Sequence, residues 1–224
     1  MCFSAGADLT AGLVVGAVAV DGLRHVRRPE ELPLALVPAV FSIHHLTEVL
    51  VWWGLQGHLS AALGERSAVF YLLVAFGVLP PLVPMAIGAV EPSRRRRLPL
   101  GVLALVGTAV AATLISATVD GDIGTRIDGH HLVYNVGLTA DFAVTSGYVL
   151  ATCGAMLVSS HRTIRRYGLV NLPVVGLLAW VQQNAVVSLW CLWAAITSVL
   201  VVVQLRRGLG VVGRVGLEPT TQGL

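Results

Sequence analysis

The chain has 224 residues, of which 55% are hydrophobic, 12% charged and 6% aromatic, and its mean hydropathy is +0.79. Soluble domains carry about 25% charged residues, so this composition excludes a disordered chain, a disulfide-rich secreted scaffold and nearly every soluble enzyme. The formal net charge is +3, and all fifteen basic residues are Arg, clustered between apolar runs. Such clusters read as topology signals facing anionic lipid rather than as a nucleic-acid surface. The expected partner is the lipid bilayer, with no nucleic acid.

About 20 apolar residues span a bilayer, and windows of that size predict seven helices, an all-α polytopic transmembrane bundle. The first covers residues 5–23 and ends at Arg24, Arg27 and Arg28. No positive charge precedes it and several follow, the reverse of a secretory signal, so it is expected to be an uncleaved anchor. The second covers 32–55 and opens with Pro33, where a missing N–H costs nothing. The third, 67–90, holds Pro80, Pro81 and Pro84 and is expected to kink or unwind in its second half. The fourth covers 98–119, the fifth 132–158, the sixth 167–183 and the seventh 186–205.

Counting Arg between these helices separates two sides. Twelve fall on one side (Arg24, Arg27, Arg28, Arg94 to Arg97, Arg162, Arg165, Arg166, Arg206, Arg207) and only Arg66 and Arg126 on the other. The positive-inside rule then predicts the N-terminus outside and the C-terminus inside, in the cytoplasmic membrane of a bacterium. Residues 1–207 form the predicted transmembrane domain. The polar stretch 208–224 contains Gly216-Leu217-Glu218-Pro219, which resembles the translated complement of a transfer-RNA T-arm, and reads as a disordered tail or a read-through product. Cys2, Cys153 and Cys191 have no CxxC spacing and indicate neither a zinc knuckle nor a redox pair.

The opening Met1-Cys2-Phe3-Ser4-Ala5, the segment Glu48-Val49-Leu50-Val51-Trp52-Trp53-Gly54-Leu55, and His131-Leu132-Val133-Tyr134, Ala151-Thr152-Cys153-Gly154, Gly168-Leu169-Val170-Asn171 and Ser188-Leu189-Trp190-Cys191 resemble a family of bacterial integral membrane proteins of unknown function whose members begin MCFSA or MCFSP. The resemblance implies a membrane location over the chain up to Arg207 and carries no activity.

Ionisable groups inside a span are costly and default to functional candidates. Glu48 lies about seven residues from the outer end of the second helix, roughly 10 Å deep at 1.5 Å per residue. His44 and His45, at i−4 and i−3, share its face. Asp141 on the fifth predicted helix falls at a similar depth. Trp52, Tyr134, Asn135, His58, His130, His131, Cys2 and Asp8 lie nearer the outer surface. Three readings fit this cluster. A divalent metal held by His44, His45 and Glu48 uses ligand types suited to zinc, and would make the chain a metal-dependent, hydrolase-like membrane enzyme. A proton relay through His and Glu would make it a proton-coupled carrier or sensor. Interhelical hydrogen bonding without turnover, with Glu48 bonded to His45 and Asp141, is the structural default. A membrane hydrolase of the ceramidase and progestin-receptor type would add an Asp on the third helix and an HxxxH pair on the seventh. Ser42, His44 and His45 echo its first element, but neither of the other two is present. Trp52, Trp53, Trp190 and Trp193 are expected in an interfacial aromatic belt.

Overall fold

A computed structural model describes residues 4–120, 123–135, 142–181 and 186–207. Seven helical rods account for most of them: α1 (Ala5–Arg24), α2 (Leu32–Leu55), α3 (Ala61–Val90), α4 (Arg94–Asp120), α5 (Phe142–Val158), α6 (Arg162–Val181) and α7 (Val186–Arg207). Four of these, α1 to α4, are long and apolar enough to cross a membrane. The α2 span is two-thirds buried by its neighbours, whereas the α1 and α4 spans are only 28% buried. Leu13, Leu98, Leu105 and Phe142 are each at least 60% exposed. Apolar rods that the protein itself leaves uncovered are what a lipid-facing surface looks like.

The α1 helix starts at Ser4, whose hydroxyl accepts the Ala7 N–H at 3.2 Å, a side-chain cap for one of the four unmatched N–H groups. It packs antiparallel on α2 at very short range. A Cβ on Gly12 would stand 2.8 Å from the Leu46 side chain, and Ser42 Oγ donates to the Gly12 carbonyl at 2.7 Å. Small residues at such a crossing let backbones approach and lend carbonyls to partner hydroxyls. This approach carries Asp8, one turn before Gly12, onto the second half of α2.

The proline-rich α3 does not break. Leu73–Val78 form a π-helical stretch just before Pro80 and Pro81. Within it the Leu79 N–H bonds to the Val74 carbonyl, five residues back, and residue 80, the next i+5 donor, is a proline without an N–H. The Ala75 carbonyl that would have met it instead accepts the Tyr148 hydroxyl of α5 at 2.8 Å. The widened turn absorbs the missing donors, and the tertiary hydrogen bond completes them. Tyr148→Phe should therefore lower stability by about 1–3 kcal/mol, the cost of an unmet buried carbonyl, seen as a drop in the thermal midpoint of detergent-solubilised protein. An unchanged midpoint would show that the Ala75 carbonyl has another donor.

Residues 132–135 are the main correction to the predicted elements. They are not helical. β1 (Gly124–Asp128) and β2 (His131–Asn135) pair antiparallel, Asp128 opposite His131 and Gly124 opposite Asn135. The two-residue turn is Gly129-His130, with Gly129 at φ +59°, the positive φ that tight hairpin turns require. Helix α5 begins only at Phe142. Leu132 is buried and joins Ala5, Val49, Val51, Trp52 and Ala68 in an apolar cluster, which seats the hairpin on the Trp52 end of α2.

The opposite end gathers the arginines. Arg206 donates to Asp21 at 2.6 Å and joins α7 to α1. Arg94 to Arg97 form the first turn of α4 rather than a free loop, a poor place for cations beside the helix dipole. Two of them are compensated: Arg96 donates to the Val158 and Ser159 carbonyls at 2.8 and 3.0 Å, and Arg97 to the Glu91 carbonyl at 2.8 Å. The larger apolar core, including Leu34, Phe41, Val83, Ile87, Leu100 and Leu205, lies towards this end.

Candidate functional site

Near the hairpin end, α1 and α2 bring three ionisable side chains together. Asp8, His45 and Glu48 each offer one donor atom, all within 4.8 Å of one another, and all three are buried. Asp8 sits in the first turn of α1, where the positive end of the helix dipole favours a carboxylate. His45 and Glu48 are one turn apart on α2. His45 Nδ1 lies 3.1 Å from Asp8 Oδ1, and Trp52, two turns on, donates its indole N–H to Asp8 Oδ2 at 3.0 Å. From β2, the Tyr134 hydroxyl donates to Glu48 Oε1 at 3.4 Å. The His45 Nε2 atom is buried with no hydrogen-bond partner among the described residues.

A flat aromatic wall closes one side. The His44 ring stacks on Tyr71 of α3 at 3.8 Å between centroids, and Tyr71 stacks on Tyr134 at 4.8 Å. Both ring nitrogens of His44 are buried without a hydrogen bond among the described residues. His44 thus faces the aromatic wall, and the group of candidate ligand atoms takes in Asp8 in its place. Asn135 is exposed at the end of β2. Asp141 lies outside the described residues, as do Cys2 and the tail 208–224.

Sequence reasoning places Asp8 among outer polar residues without pairing it to His45. The signal for that pairing is the Gly12 and Gly16 spacing on α1, a small-xxx-small pattern for a close helix crossing. Trp52 is not part of an interfacial belt: it is 3% exposed and bonded to Asp8. Trp193 likewise turns inward and donates to Asn171 Oδ1 at 3.0 Å.

Chemically the pocket pairs two carboxylates with one imidazole away from water. Two buried negative charges a few ångströms apart are not tolerated without compensation. A proton, an imidazolium or a cation must supply it. Trp52 holds one Asp8 oxygen and Tyr134 one Glu48 oxygen, an outer-shell arrangement that orients ligands.

No curated protein and no solved structure matches the chain. A family of unknown function, DUF6629, matches residues 1–212, and the chain belongs to it.

Proposed function

We propose that this is a multi-pass protein of a bacterial cytoplasmic membrane, with seven spans, the N-terminus outside and the C-terminus inside. Its working part is the Asp8–His45–Glu48 pocket, which lies towards the outer face and handles a cation or a proton. The observation that carries the reading is the division of the molecule: arginines gather at one end, and the buried carboxylate–imidazole cluster lies towards the other. The Arg asymmetry supports the orientation, and the cost of burying ionisable groups in a span supports a role beyond packing. A metal-dependent enzyme and a proton-coupled carrier would both use this pocket.

Reporter fusions test the orientation. Fusions after Arg97 and Arg166 are expected to read cytoplasmic, and one after Gly124 external. A cytoplasmic signal at Gly124 or an external one at Arg97 would overturn it.

A further inference from the structure

From the cluster geometry we infer that Asp8, His45 and Glu48 form a binding site for a single divalent transition-metal ion, of the zinc, manganese or iron(II) class. The inference rests on the reading of this pocket as the working part of the protein and names what it holds. Three features carry it.

The first is the donor set. One imidazole nitrogen and two carboxylate oxygens from two helices are borderline-to-hard ligands that suit these ions rather than copper(I). Donor atoms on a tetrahedral ion at about 2.1 Å stand about 3.4 Å apart, so a cluster within 4.8 Å closes on an ion by side-chain rotation of about an ångström. The second is charge. A divalent cation neutralises two carboxylates that are 1% and 0% exposed. The third is the support around the ligands. Trp52 Nε1 fixes Asp8 and Tyr134 OH fixes Glu48, the pattern of partners that orient metal ligands. The buried His45 Nε2, with no protein partner among the described residues, supplies an unused lone pair or N–H in a place where packing alone gives no reason for one.

Three protein ligands leave at least one coordination position open. Structural zinc sites close all four positions with protein atoms, whereas catalytic ones keep a position for water or substrate. The site therefore belongs to the open type.

The test uses the full chain in detergent, with cobalt(II) alone as the probe, because its visible ligand-field bands report coordination by protein atoms. The wild type is expected to bind one equivalent and to show those bands. Asp8→Asn and Glu48→Gln, which keep side-chain shape, should weaken cobalt binding at least tenfold, while His58→Ala, on an exposed turn, should bind like wild type. A second readout guards against misfolded variants: zinc should raise the thermal midpoint of the wild type and not that of Glu48→Gln. Equal cobalt binding by wild type and both carboxamide variants would overturn the inference, as would no binding by the wild type. With the fusion reporters reading as expected, that result removes the metal and leaves the orientation standing.

Discussion

Replacing Glu91 by Ala is expected to loosen the arginine-rich end by about 2–3 kcal/mol, because unmet buried donors cost about 1–3 kcal/mol each. Glu91 follows α3 and is fully buried. Its Oε1 accepts the Ser93 N–H at 3.1 Å, and its Oε2 accepts the Ser160 N–H at 2.8 Å and the Ser159 hydroxyl at 3.5 Å. His161 Nε2 donates to the adjacent Val90 carbonyl at 3.0 Å. One carboxylate thus ties the α3–α4 turn to the α5–α6 turn. The same joint carries a pH dependence. Burial alone would raise the Glu91 carboxyl above its ordinary 4.5, but hydrogen bonds from Ser160 and Ser93 and the nearby His161 outweigh it and hold the carboxyl lower. A carboxyl depressed in the folded state contributes stability that is complete above pH about 4.5 and is lost as pH falls through the folded value. Thermal midpoints measured from pH 7 down to pH 3 should therefore fall at the acid end for the wild type. Glu91→Gln should lower the midpoint at neutral pH and flatten that acid decline. A Gln variant with the wild-type profile would show that the carboxylate charge has no part in the joint.

Gly54→Ala is also expected to destabilise, although Ala is the better helix former by about 1 kcal/mol. A Cβ at Gly54 would lie 2.5 Å from the Cα of Gly64. Both positions are backbone on backbone, where α2 ends and α3 begins, so no side chain can rotate away. The helices must separate, and overpacking of this kind costs about 1–3 kcal/mol, which exceeds the propensity gain. Separation would also part Tyr71 on α3 from His44 on α2, opening the aromatic wall beside the pocket. Gly101→Ala is the control, since nothing lies within 4 Å of a Cβ there. Its midpoint should be unchanged or slightly higher, while that of Gly54→Ala falls by several degrees. Equal midpoints for the two variants would mean that α2 and α3 do not meet this closely.

Much of the helical fold is legible in the sequence because hydropathy is a strong signal at membrane length. The seven apolar runs correspond to the seven helical rods, and the prolines of α3 announce an irregularity that takes the form of a π-helical stretch. The hairpin is less legible for a physical reason. A window of about 19 residues averages Leu132-Val133-Tyr134 with the apolar run beyond, whereas the Asp128-Gly129 pair leading into the turn carries the local information. At the pocket, the spacing of His45 and Glu48 places them one turn apart on α2. Which helix faces them depends on tertiary packing, and the chain distance from Asp8 to His45 hides the pairing. The Glu91 joint is hidden in the same way, since Ser159 and Ser160 lie almost 70 residues further along the chain.

In the proposed orientation the ionisable pocket lies towards the outside and the arginines lie within. Single cysteines in a background with Cys2, Cys153 and Cys191 replaced by Ala test it most directly. His58→Cys lies in the α2–α3 turn at the pocket end and Glu30→Cys in the α1–α2 turn at the arginine end, both exposed. A membrane-impermeant maleimide added to intact cells should label the cysteine at 58 and reach the one at 30 only after the membrane is permeabilised. Labelling of position 30 in intact cells, with position 58 protected until permeabilisation, would put the arginine end outside and overturn the proposed orientation.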